Sequence, residues 1–496
     1  MNNQVQLITY VDRLGGGGID NLQQLLGGPL KGVVGGIHLL PFFFPIDGAD
    51  AGFDPIDHLQ VDPRLGDWGT LKQLSETLPV MADVIVNHMS ADSPQFIDYS
   101  TRGANSPHDG LFLTLDRVFP EGAHEADLLR IYRPRPGLPL TPMTLRNGER
   151  RILWTTFTPK QIDIDVEHPQ GQAYLQAILQ QLADSGVTMV RLDAVGYAIK
   201  RAGSSSFMTQ DTFEFIGRFA RKAKTLGLEV LVEVHSYFQR QIEIAREVDW
   251  VYDFALPPLI LHALSFGTAE GLARWIDCRP HNAITVLDTH DGIGIIDIGA
   301  DSADRKASPG LVPDHELDEL VERIHAACGG QSRQATGAAA SNLDLYQVNC
   351  TYYDALGRND RAYLLARAIQ FFLPGVPQVY YVGLLAGAND MELLSRTGVG
   401  RDINRHHYTP AEIEQALQRP VVRDLIELIR LRNRHPAFDG DFSWSRRGDA
   451  WLELVWSHGS DRVSLHADLA RGDFAIRTEG SQPTGTMAFL TPTGFP

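Results

Sequence analysis

The chain has 496 residues, 44 Lys plus Arg against 61 Asp plus Glu, a formal net charge of −17, and 43% hydrophobic and 21% charged residues. A surface that acidic lacks the clustered cations that a polyphosphate backbone demands, which excludes nucleic-acid binding as the main task. The apolar content excludes disordered and fibrous classes, and the length is ample for a large core with one or two accessory domains.

The opening MNNQVQLITY has no basic region followed by an apolar stretch and a small-residue cleavage site, so a cytoplasmic protein is expected. Eight short apolar runs then follow one another: QVQLITY (4–10), GIHLLPFF (36–43), VMADVIVNH (80–88), VTMVRLDAV (187–195), LEVLVEV (228–234), WVYDFAL (250–256), AITVLDTH (283–290) and VPQVYYVG (376–383). Runs apolar throughout are what strands covered on both faces look like. Segments such as YLQAILQQLADSG (174–186) lie between them, with an apolar stripe at helical spacing and a terminal glycine. The pattern predicts an α/β fold, a (β/α)8 TIM barrel. The GGGG at 15–18 is not followed by GK[ST] and reads as a turn rather than a phosphate loop. The uncharged run from Ala368 to Asn389 contains Gln370, Pro374, Pro377 and Gln378, so it reads as a buried helix, a turn and a buried strand rather than a membrane span.

Two stretches are far longer than a helical crossover needs. The resulting division is a barrel over 1–88 and 169–436, an inserted loop-rich domain over 89–168 after the third strand, and a second insertion over 297–350 after the seventh. A small antiparallel β-domain over 437–496 follows, where segments such as WLELVWS and RVSLHAD alternate. Cys278, Cys328 and Cys350 form no C-x-x-C pair and offer neither a disulfide framework nor a zinc site.

In such a barrel, reactive groups lie at the C-terminal ends of the strands. Charges terminate the runs there: Asp83, Asn87 and His88, then Arg191 and Asp193, Glu233 and His235, Asp253, and His290 with Asp291. Asp253 alone reads as a structural ion-pair partner. Three carboxylates converging on one volume raise one another's pKa, a cost that suggests catalysis. Glycosyl transfer fits, with two carboxyl groups flanking the scissile bond. Arg191, two residues before Asp193, shares its strand face and is expected to keep Asp193 ionised as a nucleophile. Glu233 in the apolar LVEVHS is expected to be protonated by desolvation and to serve as the acid. Asp291 is then a stabiliser of developing positive charge, with His88 and His290 as hydroxyl donors. No HExxH motif or acidic loop calls for a metal.

DVIVNH (83–88), VRLDAVGY (190–197), EVHS (233–236) and LDTHDGIG (287–294) resemble, in that order, the four signature regions of the α-amylase clan of retaining glycoside hydrolases and transglycosylases. IHLLPFFFPIDGADAGFDPIDH (37–58), IYRPRPGLP (131–139), YDFALPPL (252–259), AASNLDLYQVN (339–349), FFLPGVPQVYYVGLLAG (371–387) and GRDINRHHYT (400–409) resemble the sucrose phosphorylase family within it, over roughly residues 4–436. The resemblance implies reversible phosphorolysis of sucrose to α-D-glucose 1-phosphate and fructose through a covalent glucosyl-Asp193 intermediate, with no cofactor, and a homodimer. It implies Asp193 as nucleophile, Glu233 as acid/base and Asp291 as stabiliser. For the glucosyl unit it adds Asp50, Phe53, His88, Gln161, Arg191, His290 and Arg401. For fructose or phosphate it adds Tyr132, Pro134, Arg135, Phe157, Tyr197, His235, Asp344, Leu345, Tyr346 and Gln347.

Phosphate rather than water as second nucleophile requires a cationic docking point, and the planar fork of Arg suits it. YRPRPGLP supplies Arg133 and Arg135 between prolines that stiffen the loop. The family further implies a loop from Asp344 to Gln347 that alternates between acceptors, since a carboxylate left in place repels phosphate. Alternatives are a related phosphorylase of sucrose 6-phosphate, glucosylglycerol or glucosylglycerate, a clan α-glucosidase or glucan synthase, and an inert barrel scaffold. A carboxylate at Asp344 disfavours a phosphorylated fructosyl unit.

Overall fold

The computed structural model describes residues 1–48, 50–134, 137–301, 305–336, 347–480 and 485–487. The eight apolar runs form eight parallel strands, β1 (Gln6–Thr9), β2 (Gly36–Leu39), β3 (Val80–Ile85), β4 (Met189–Asp193), β5 (Glu229–Val232), β6 (Trp250–Asp253), β7 (Ala283–Thr285) and β8 (Val376–Tyr380). They close in the order β1-β8-β7-β6-β5-β4-β3-β2. With helices outside and side chains inside, both strand faces are buried, which is why the runs do not alternate in polarity.

The helix after β3 and the inserted segment shows how locally the chain is specified. It spans Pro169–Asp184, with His168 capping its first turn, Pro169 at the first helical position and Leu175, Ile178, Leu179 and Leu182 buried. It stops before Gly186, whose φ of +80° lies in the left-handed region. The 368–389 stretch resolves as the helix Asp360–Phe372 and strand β8. No helix among the described residues is long and apolar enough to cross a membrane.

The barrel interior is polar in one line. Gln378 accepts from the Tyr252 hydroxyl at 3.3 Å, and Tyr252 lies 3.3 Å from His38 Nδ1. His38 Nε2 contacts Asp83 at 3.0 Å, and Asp83 bonds Arg191. This chain of buried partners fixes Arg191 from below.

The inserted segment returns to the barrel through a two-stranded pairing of His88–Ser90 with Gln161–Asp163. It has a small core of its own: Leu113, Val118, Phe119, Ile131 and Trp154. After β7, the pair Ile293–Gly294 and Gln347–Val348 closes the base of the second insertion, which carries the helix Asp314–Ala327. At the C-terminus, strands β9 (Asp441–Arg447), β10 (Trp451–His458), β11 (Asp461–Asp468), β12 (Asp473–Glu479) and β13 (Gly485–Met487) form an antiparallel sheet. Trp456 donates its indole N–H to the Phe372 carbonyl at 2.7 Å and packs on Phe438 and Phe442, tying the sheet to the barrel.

Candidate active site

A cavity of about 130 Å³ opens at the C-terminal ends of the strands, lined among others by Asp50, Phe53, Asp193, Glu233, Asp291 and Arg401. Asp193 ends β4, Glu233 immediately follows β5, and Asp291 follows the loop after β7. Ala194, next to Asp193, holds a φ of +53°. A non-glycine residue there is strained, and the strain turns the chain sharply away just after the Asp193 carboxylate.

Arg191 organises the carboxylates. Its Nη1 bonds Asp83 and reaches Asp193 Oδ1 at 3.1 Å, while Nη2 reaches Glu233 Oε1 at 2.6 Å. The guanidinium is buried and is therefore divided among three anions. Burial pushes the Asp193 carboxyl up, and the charge of Glu233 adds to that against the pull of Arg191. Glu233 is likewise pushed up, by burial first, with Asp291 adding repulsion. Arg191, expected to keep Asp193 ionised, is shared with Asp83 and Glu233, which dilutes its pull on Asp193. Both carboxyls accept from Arg191, and Glu233 also faces the Asp291 carboxylate.

Asp291 is the opposite case. Burial works against its charge, yet Arg401 at 2.8 Å, aided by His235, holds its carboxyl well below the usual range. His290 is stacked on Phe53 with centroids 4.7 Å apart and 10° between planes, and burial keeps it neutral. His88 is also kept neutral by burial, and its Nε2 lies 3.0 Å from the Phe53 carbonyl. Gln161 lies 3.2 Å from that ring nitrogen and 3.4 Å from Asp50. The glucosyl set is thus one continuous surface of hydrogen-bonding groups over one aromatic ring.

The opposite wall is aromatic. His88, Phe157, Tyr197, Phe207 and Tyr132 contact one another in sequence, with Tyr132 and Phe207 stacked at 4.4 Å. Arg133, Pro134, His235 and Gln347 complete it. Arg135, Asp344, Leu345 and Tyr346 lie outside the described residues.

Sequence reasoning missed Phe207 and Asp297. Phe207 sits in GSSSFM, a polar stretch with no periodicity. Asp297 was assigned to the start of an insertion, and only the fold carries it under His235. Asp253 proves structural, accepting from Trp275 at 2.8 Å and Arg279 at 2.9 Å.

A closed parallel barrel that gathers three carboxylates, a buried guanidinium and a half-buried one at the C-terminal ends of its strands, beneath an inserted segment, is the architecture of enzymes that work on glycosidic bonds. Residues 30–246 match the α-amylase catalytic-domain family. The chain is 58% identical to sucrose phosphorylase of Agrobacterium vitis, covering 97% of this chain and 98% of that one. It is 56% identical to sucrose phosphorylase of Bifidobacterium adolescentis over 95% and 93% of the two. Among solved structures, sucrose 6F-phosphate phosphorylase from Thermoanaerobacter thermosaccharolyticum superposes with a TM-score of 0.89 at 36% identity, over 98% of both chains. The chain belongs to the sucrose phosphorylase family.

Proposed function

We propose that the protein catalyses the reversible phosphorolysis of sucrose to α-D-glucose 1-phosphate and fructose by double displacement. The observation that carries this is the placement of Asp193 and Glu233 on the two terminal nitrogens of one guanidinium, in a cavity whose far wall is aromatic and cationic; we assign the proton to Glu233 and the charge to Asp193. The glucosyl unit binds over Phe53, its hydroxyls held by Asp50, His88, Gln161, His290 and Arg401. Asp193 attacks the anomeric carbon while Glu233 passes its proton to the departing fructosyl oxygen. The oxocarbenium-like charge that develops faces Asp291, whose pairing with Arg401 keeps it ionised.

Fructose then leaves the space bounded by Tyr132, Pro134, Phe157, Tyr197 and Gln347, and phosphate takes it. Arg135, with Asp344 to Tyr346, is assigned to that exchange from the family likeness. The Glu233 carboxylate accepts the phosphate proton as a phosphate oxygen displaces Asp193, and the second inversion restores the α configuration. The reaction needs no cofactor or metal.

Incubation with sucrose, with and without inorganic phosphate, tests the reading: glucose 1-phosphate should appear only with phosphate, and free glucose at equal rates in both conditions would sink it. Sucrose 6-phosphate and glucosylglycerol in parallel separate the related phosphorylases. We also read 89–168, 297–350 and 437–496 as units added to the barrel, and the protein as a cytoplasmic homodimer. Three unpaired cysteines suit a reducing compartment. Exposed Leu129 and Leu138, with Ile152, give the inserted unit an apolar surface for a second copy. A monomer by light scattering would refute the dimer.

A further inference from the structure

Asp297 is fully buried in a single turn, Ile296–Ile298, beyond β7. Its carboxylate accepts from three N–H groups: His235 Nδ1 at 2.9 Å on Oδ2, and the Ser236 backbone at 3.1 Å and Gln241 at 3.2 Å on Oδ1. Burial pushes the Asp297 carboxyl up, but two N–H donors hold Oδ1 and the proton shared on Oδ2 goes to the more basic imidazole, so the carboxyl is read as ionised. Among the described residues its only ion-pair partner is His235. A buried carboxylate needs a compensating charge, and the imidazolium of His235 is the one at hand.

The ring cannot turn away. Phe254 stacks on it at 3.8 Å with 15° between planes. Gly294 is pressed against the ion pair: a Cβ there would stand 2.1 Å from Asp297 Oδ2 and 3.0 Å from His235 Nδ1. With Nδ1 committed to Asp297, Nε2 faces the cavity, 3.9 Å from Glu233 Oε1; the Gln347 side-chain amide lies 3.4 Å away and, turned end for end, offers its oxygen to an Nε2–H. The titratable groups facing His235 are Asp297 from below, Glu233 on its own segment and Asp291 across the cavity. Burial opposes the charge of the ring, and the Asp297 carboxylate, aided by Asp291, pushes it up.

We infer that Asp297 is a positioning residue that holds His235 as an imidazolium with its Nε2–H aimed at the acceptor space, so that the site recognises an anionic phosphate there. This rests on the phosphorolysis reading. A charge-assisted hydrogen bond is about twice as strong as a neutral one, so the gain goes to phosphate and far less to the uncharged fructosyl unit.

The test is steady-state kinetics of Asp297→Asn from pH 6 to 8, with phosphate varied at saturating sucrose, and sucrose varied in phosphate-free hydrolysis. The expected result is a phosphate KM raised about tenfold at the upper end. The ratio of variant to wild type should widen as pH rises, because the unclamped His235 loses its proton earlier, while the sucrose KM stays within about threefold. Gly294→Ala, which separates the pair without removing either group, should show the same split and carries the test if Asp297→Asn does not fold. Equal rises in both KM values, or a ratio flat with pH, would overturn the assignment. A wild type that forms no glucose 1-phosphate fails the phosphorolysis reading instead, and is visible before any variant is made.

Discussion

Lys200 offers a measurable perturbation of the joint between barrel and inserted unit. Its ammonium is buried, 2.5 Å from Asp163 Oδ2 on the inserted segment and 2.5 Å from Asn87 Oδ1 just beyond β3. Thr156 supplies the other donors to Asp163, through its backbone N–H at 2.9 Å and its hydroxyl at 2.5 Å. In Lys200→Met the buried Asp163 keeps only Thr156, and the Asn87 carbonyl loses its partner. Removing one member of a buried pair costs about 3–5 kcal/mol, and at roughly 2 cal/mol/K of unfolding entropy per residue this chain loses about 1 °C per kcal/mol if it melts as one unit. The expected fall in Tm by calorimetry is therefore about 3–5 °C. The double variant Lys200→Met with Asp163→Asn removes the stranded charge and should recover more than half of the loss. Because His88 follows Asn87, the sucrose KM should rise with the fall in Tm. A single variant melting within half a degree of wild type, or a double variant as unstable as the sum of the singles, would refute the claim that this ion pair holds the two units together.

The carboxyl pair predicts a trade between stability and activity. Asp193 and Glu233 have pKa values raised in the folded state, so their protons stabilise the fold at low pH and that contribution is lost as pH rises through the raised range. Glu233→Gln should then melt higher than wild type at pH 7, by a margin that vanishes near pH 4, while losing phosphorolysis; a margin independent of pH would contradict the burial argument. Replacing Asp193 by Ala should abolish transfer, and no glucosyl adduct should be found by mass spectrometry of acid-quenched protein; unchanged turnover would remove Asp193 from its role. Phe207→Ala strips the ring stacked on Tyr132 and should raise the fructose KM of the reverse reaction about five- to tenfold with phosphate-free hydrolysis nearly unchanged; a change confined to hydrolysis would place Phe207 on the glucosyl side.

The barrel was legible because a strand buried on both faces leaves an unbroken apolar run, and each of the eight runs contains a barrel strand. The carboxylates were legible because they terminate those runs, where position in sequence and position in space coincide. Asp297 was hidden for the converse reason: it reaches His235 across sixty-two positions of chain, and no local pattern marks such a contact. Sequence places Arg191 beside Asp193 but cannot show that Asp83 and Glu233 claim the same guanidinium.

That sharing bears on why the site can use phosphate at all in a chain of net charge −17. The glucosyl end holds Asp50, Asp193, Glu233 and Asp291, whose cations, Arg191 and Arg401, are already bonded to carboxylates. An anion approaching that end meets, among the described residues, guanidinium groups already paired with carboxylates. At the acceptor end, Arg133 stands beside Tyr132 in the cavity wall, and His235 has its counter-charge on the side away from the cavity, at Asp297. On the proposed mechanism, this division suits a neutral sugar at the donor end and an anion at the acceptor end.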